Sequence, residues 1–246
     1  MISMQRIIFF TIVYIFCFLS YIMPQTSFDH STFDKLLKKY VNGTGMVNYT
    51  AFQNNAEFKN YLAAISSADV DNLSINDKLA FYLNAYNATV IKNVLDHWPI
   101  NSPLEVDGFF NKIKHKIAGT EMTLDELEHK YTLTIEPVLS HFGLVCAAKS
   151  CPKLITKAYD GKDVITQLNE NAILYLNDVK NNRLDRESSI LYLSEIFKWF
   201  PEAFEEKYGS LKNTALYFMN ENNKQFLKEN EVEIKFVKYN WELNAH

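Results

Sequence analysis

The sequence predicts a helix-rich α+β domain, a single body around a small mixed or antiparallel sheet. Three observations lead there. Leu79 to Ile91 is apolar nearly all round at helix length, as a centrally buried helix must be. Several other stretches place apolar residues at helical spacing. The few alternating stretches, 112–118, 182–194 and 232–239, are short and far apart. Helices in runs with separated strands describe an α+β chain rather than a βαβ repeat.

The elements follow in order. Phe28 to Val41 has helical spacing through Phe33, Leu36, Leu37 and Tyr40, and Gly43-Thr44-Gly45 breaks it. Met46 to Tyr49 reads as a short extended piece, and Ala56 to Ile65 as a helix. Ser74 is placed to cap a long helix from about Ile75 to His97, which Pro99 ends. Lys112 to Ala118 alternates as a half-exposed strand. Thr123-Leu-Asp-Glu126 is a capping box opening a helix to about Tyr131. The apolar run Ser140 to Ala148 reads as a buried strand, followed by a loop at Ser150-Cys151-Pro152. Lys162 to Asn177 is an amphipathic helix, 182–194 a hairpin, and 194–228 holds two or three helices before a closing strand at 232–239.

Composition narrows the function. The 246 residues carry 25 Lys and Arg against 29 Asp and Glu, a formal net charge of −4. The basic residues are scattered, so there is no electrostatic footprint for nucleic acid. Arg6 precedes an apolar run from Ile7 to Met23, and the chain turns polar after Pro24. A basic start and a compact apolar run are what export requires. Residues 1–24 are therefore expected to be a signal peptide or an N-terminal anchor, and 25–246 one globular domain. The apolar run is near the lower limit of the roughly 17 to 25 residues a spanning helix needs. Membrane association is expected through this segment alone, and the location is periplasmic or extracellular, as in a bacterial envelope.

The densest run of reactive side chains is 141–152, HFGLVCAAKSCP. A thiol nucleophile needs a base to make thiolate and donors to hold an oxyanion. On a regular strand side chains alternate, so His141 and Cys146, five apart, should face opposite sides. Cys151 lies beyond that strand and can swing back to His141. It is the favoured nucleophile, with Cys146 as a small core residue. Ala147 and Ala148 leave room for a substrate beside the backbone, and Ser150 adds a hydroxyl. Glu128 and His129, just upstream, could orient or replace His141. The plain alternative makes Asp125, Glu126 and Glu128 a solvated helix face. Asn84 and Asn87 sit three apart on an otherwise apolar helix. A buried amide must find partners, so they either tie down a loop or line a pocket. Two further readings stay open. In an oxidising compartment Cys146 and Cys151 could simply pair. His129, His141, Cys146 and Cys151 are also four zinc-type ligands in one window, which the alternation argument opposes.

Four blocks carry a family resemblance: Phe81-Tyr-Leu-Asn84-Ala-Tyr-Asn87-Ala88, Leu124 to His129, His141 to Pro152, and Leu193-Ser-Glu-Ile-Phe-Lys-Trp199-Phe200. The sequence resembles the domain of unknown function 547 family from about Gly45 to Asn244. It departs where members often have Trp for Tyr82, Tyr for Phe200, and an Ile-Leu-Arg stretch after His129. The resemblance implies an exported domain. Its His, Cys and Glu positions are similar to those of papain-like thiol hydrolases, an analogy at fold level.

Together these readings predict an exported thiol-dependent hydrolase or acyl transferase acting on amide or thioester bonds of a small-molecule or peptide substrate. Cys151 attacks, His141 is the base, Glu128 orients it, and Cys146 is the alternative thiol. Asn84, Asn87, His129 and Ser150 shape the substrate site. No cofactor or metal is assigned. The runner-up is a non-catalytic envelope binding or scaffold domain stapled by Cys146–Cys151, and the third reading is a zinc domain. The export signal predicts a mature N-terminus between about Ser20 and Ser27. Intact mass from a native-type host tests this. A mass retaining Met1 to Pro24 in the membrane fraction would make the segment an anchor.

Overall fold

Helix α4, Ile75–Asp96, runs through the middle of the molecule with every residue from Leu79 to Ile91 buried. The computed structural model describes residues 27–246, so the expected signal peptide or anchor at 1–24 lies outside the described residues. Among the described residues no helix is long and apolar enough to cross a membrane. Ser74 caps α4 as its sequence predicts, accepting the Asp77 N–H at 3.1 Å.

Around α4 stand α1 (Ser31–Tyr40), α2 (Tyr49–Phe52) and α3 (Ala56–Ser67). Asn48 and Asn55 cap the last two. A hairpin follows, β1 (His115–Ile117) and β2 (Thr120–Met122), paired antiparallel. Its turn residues Ala118 and Gly119 both have positive φ, 48° and 77°. Two-residue hairpin turns demand that conformation. Only the end of the alternating stretch becomes strand, because the N–H groups of Lys112 and Ile113 are used on the Gly108 carbonyl in the preceding turn.

The capping box forms as read: the Thr123 side chain accepts the Glu126 N–H and the Glu126 carboxylate accepts the Thr123 N–H. It opens α5 (Leu124–Leu127), which widens into a π-type turn over Glu128–Thr132 and ends in α6 (Leu133–Ile135). The second half holds α7 (Val164–Leu176), β3 (Arg183–Asp185), β4 (Ile190–Ser194), α8 (Ile196–Trp199), α9 (Pro201–Tyr208), α10 (Leu211–Phe218), α11 (Glu221–Glu229) and β5 (Glu233–Val237). Strand β4 pairs antiparallel with β3 and parallel with β5. The fold is thus helix-rich α+β, with two small sheets. Between 194 and 228 there are four short helices rather than two or three. Pro201 at a helix start and left-handed Gly209 after Tyr208 divide them.

One expected element is absent. Ser140 to Ala148 is not a strand. A 3-10 turn over Leu139–Phe142 leads into an irregular segment that continues to Asp163. The apolar run is buried as expected, but its polar backbone groups are met by side chains and by the chain's own C-terminus. Asn87 donates to the Gly143 carbonyl at 2.9 Å and accepts the Val145 N–H at 3.0 Å. Asn84 does the same for Tyr159, at 2.8 and 2.9 Å. Asn171 on α7 donates to the carbonyls of Phe142 and Lys153. Ala148 bridges Leu243, and the Asn244 N–H reaches the Ala147 carbonyl.

Each amide of Asn84 and Asn87 therefore replaces a missing strand neighbour. Replacing either with Leu leaves a buried carbonyl and a buried N–H unpaired. The expected loss is about 1 to 3 kcal/mol, read as a lower urea midpoint. Unchanged midpoints in both variants would show that the amides do not hold the segment.

Candidate active site

The irregular segment delivers its sulfurs to one cavity. Ala147, between the two cysteines, has φ 63°. For a residue with a Cβ this conformation is uncommon and persists only where the surroundings impose it. Here the Asn244 N–H fixes the Ala147 carbonyl at 2.9 Å, and the Asn244 side chain accepts the Tyr49 hydroxyl at 2.6 Å. The reversal turns Cys151 back onto Cys146. The two are joined as a disulfide, with Cα atoms 6.3 Å apart.

The cavity has a volume of about 260 Å³ and is lined by both cysteines, His141, Glu128 and His129, with aromatic walls that include Tyr239, Trp199 and Trp241. This size is near the lower end for small-molecule sites, roughly 300 Å³. It suits one side chain or a short acyl group.

The alternation argument does not survive the loss of the strand. His141 lies in the 3-10 turn, and Cys146 and Cys151 in the irregular segment, so a period of two never applies. All three face the same cavity.

Around the sulfurs the chemistry is specific. The Cys146 backbone N–H points at Cys151 Sγ, N to S 2.9 Å. The Tyr239 hydroxyl lies 3.1 Å from Cys151 Sγ and 3.3 Å from Cys146 Sγ. Burial holds the Tyr239 phenol well above its ordinary pKa, so it stays a donor. Cys151 is the more enclosed of the two, and Cys146 is half-buried. The zinc arrangement is not assembled. The sulfurs are bonded to each other, and among the described residues no three His, Cys, Asp or Glu side chains converge as a metal requires.

His141 packs flat on Phe200, ring centroids 4.2 Å apart, with Phe204 at 5.7 Å. Burial, and secondarily the nearby His129, lower its pKa to about 4, so the ring is neutral at pH 7. Among the described residues no hydrogen-bond partner occupies its ring nitrogens. Glu128 is not bonded to it. The Glu128 carboxyl sits beside the Tyr86 hydroxyl, and burial raises its pKa to about 7, with Asp125 adding to the rise and His129 opposing it. The π-type turn aims Glu128 and His129 into the cavity. One extra residue in a helical turn re-directs the side chains around it, and such turns often mark functional sites. His129 stays exposed, its Nδ1 3.0 Å from the Asp125 carbonyl.

The remaining expected residues lie elsewhere. The amides of Asn84 and Asn87 are occupied by backbone groups, and neither reaches the cysteine cavity. They position the segment that carries the cysteines. Ser150 is buried with its Oγ accepting the Asn240 N–H at 2.9 Å, and it faces a different, larger groove. Sequence reasoning missed Tyr239 and Tyr86 as site residues, and Asn171 as a support of the segment that carries the cysteines. The signal for Tyr239 was its place in the resemblance, at the head of Tyr239-Asn-Trp-Glu-Leu-Asn244.

Fold and cavity together define an α+β domain with a paired-cysteine pocket flanked by a carboxyl and two imidazoles. Residues 70–176 match the family described as "Protein of unknown function, DUF547". This stretch contains three of the four resembling blocks, including the whole cysteine block, and supports the resemblance. No curated protein and no solved structure matches the chain.

Glu128 has a testable consequence. Its folded pKa, about 7, lies above the ordinary 4.5, so the native state binds more protons than the unfolded chain in this window. Stability should fall as pH rises from about 4.5 to 7. The Glu128→Gln variant should lack that decline, which urea unfolding at pH 5 and pH 8 measures. Parallel pH profiles for the two proteins would place the carboxyl in water.

Proposed function

We propose that this chain is an exported thiol-dependent hydrolase or acyl transferase whose nucleophile, Cys151, stays bridged to Cys146 until a reductant opens it. One observation carries this reading. Cys151, Cys146, His141 and Glu128 line one apolar-walled cavity, and two hydrogen-bond donors already point at the Cys151 sulfur.

An external dithiol gives two electrons and two protons to the disulfide and is itself oxidised. Cys151 passes its proton to neutral His141. The thiolate adds to the carbonyl carbon of an amide or thioester, and the C–N or C–S bond breaks. The leaving amine or thiol takes the proton from His141. Water, or an acceptor amine or alcohol, then cleaves the acyl–sulfur bond and restores the thiol. The Cys146 N–H and the Tyr239 hydroxyl stabilise negative charge on Cys151. Glu128 takes or releases a proton near neutral pH at the same cavity. It acts beside His141 rather than through a hydrogen bond to it.

The disulfide itself favours a second reading, a staple in a non-catalytic envelope domain. A loop this short contributes about 2 kcal/mol by the chain-entropy argument.

Iodoacetamide titration across pH separates the two, with each cysteine followed by mass before and after reduction. The bridged protein should not label. After reduction Cys151 should label quickly, with an apparent pKa below the ~8.5 of a free thiol. His141→Ala should abolish that enhancement, and Cys146→Ser should free Cys151 without reductant. Two equally slow thiols titrating near 8.5 would leave only the staple. A fast Cys146 would exchange the roles of the two cysteines.

A further inference from the structure

A second cavity lies beside the cysteine pocket and is several times its volume. It is a groove of about 1320 Å³ on the other side of the Cys151-Pro152 turn, and those two residues line both spaces. The groove is bounded by the 148–153 segment, the end of α7, the turn after it, and the junction of α10 with α11. Its volume exceeds the roughly 300 to 1,000 Å³ usual for small-molecule pockets.

Its chemistry runs against the rest of the protein. The chain carries a net charge of −4, yet five lysines line the groove against two carboxylates, Asp178 and Glu221. Lys149 is paired with Glu242 and Lys224 with Glu221. Lys153, Lys180 and Lys238 have no carboxylate within salt-bridge reach among the described residues. A like-charged cluster that folding does not neutralise repels itself and favours an anionic ligand. Between the lysines lie exposed apolar side chains: Ile173, Leu174, Val179 at 70% exposure and Tyr217 at 59%. These are four of the nine large exposed hydrophobics in the described chain, gathered in one groove.

We infer that this groove binds an extended acidic peptide segment, carboxylates on Lys153, Lys180 and Lys238 and apolar side chains on Val179, Ile173 and Tyr217, and leads it to Cys151. The groove's volume, its mixed charge and apolar lining, and its shared wall with the thiol pocket all fit a peptide. A small anion would use the charge and leave the apolar residues idle. The inference rests on the thiol reading only for what happens after binding.

The test uses the purified, disulfide-bridged protein and a fluorescent decapeptide of alternating Glu and Leu, followed by anisotropy. Its Gln-Leu counterpart and vesicles of anionic lipid serve as comparisons. The acidic peptide should bind at least ~10-fold tighter than the Gln peptide, and weaken as salt rises to ~0.5 M. The triple variant K153E/K180E/K238E should lose binding, and the milder K153Q/K180Q/K238Q should weaken it, both melting as the parent does. Equal binding of the two peptides, or unchanged binding by a folded triple variant, overturns the inference. So does capture by anionic vesicles in preference to the peptide. Because bridged protein is used, loss of peptide binding with intact Cys151 reactivity sinks the groove alone. Retained binding with an unreactive Cys151 sinks the thiol reading alone.

Discussion

A stretch of more than twenty residues, 143–163, crosses the interior without becoming helix or strand, and its buried backbone groups must still be hydrogen-bonded. An unpaired buried N–H or carbonyl costs about as much as a lost hydrogen bond. The molecule meets this demand with carboxamides fixed on two rigid helices. Asn84 and Asn87 reach out from α4, and Gln167 and Asn171 from α7. Asn84, Asn87 and Gln167 each use both a donor and an acceptor, so one side chain can imitate a neighbouring strand, while Asn171 donates to two carbonyls. Gln167 does so for Ala158 and Asp160, as Asn84 does for Tyr159. The surrounding aromatic core, with Phe81, Phe142 and Tyr159 fully enclosed, excludes the water that would otherwise serve.

Freed from sheet register, the segment can do what a strand cannot. A strand would send Cys146 and Cys151 to opposite faces or far along one axis. The irregular path, reversed at Ala147, brings both sulfurs under the Tyr239 hydroxyl. The cost of Ala147 at positive φ is on the order of 1 kcal/mol or more. It is offset by the C-terminal strand-like contacts at Leu243 and Asn244. The chain's last residues therefore help set the geometry of a site whose other members lie a hundred residues earlier.

What could be read in the sequence follows from this architecture. Helix α4 was legible because thirteen successive residues are buried and only asparagines interrupt them. The capping box at Thr123 was legible because it depends on local spacing alone. The run 140–148 was misread because apolarity reports burial, not backbone path, and a buried irregular segment has the same composition as a buried strand. The partners that tell them apart, Asn171 and Asn244, are distant in sequence. Thus Cys151, His141, Glu128 and His129 were read as one site, and what was not legible is that Cys146 faces the same cavity. Tyr239 stood within the resemblance, but its place over Cys151 was not legible, since that contact spans 88 positions.

Burial also fixes the electrical state of the pocket. With the sulfurs bridged, His141 is neutral, Glu128 is half protonated near pH 7, and the tyrosines are phenols. Of the enclosed groups only Glu128 then carries charge, and only in part, which suits the aromatic walls. Opening the disulfide changes that balance. A thiolate at Cys151 is a new negative charge in a poorly solvated space, and it favours the protonated form of any imidazole facing it. On the thiol reading, the depressed basicity of His141 belongs to the bridged state, and the nucleophile itself raises the basicity of its partner. Glu128 would then be pushed further toward its neutral form by the same charge. The pair would settle as thiolate and imidazolium beside a protonated carboxyl, the arrangement in which a proton can be passed to a departing amine.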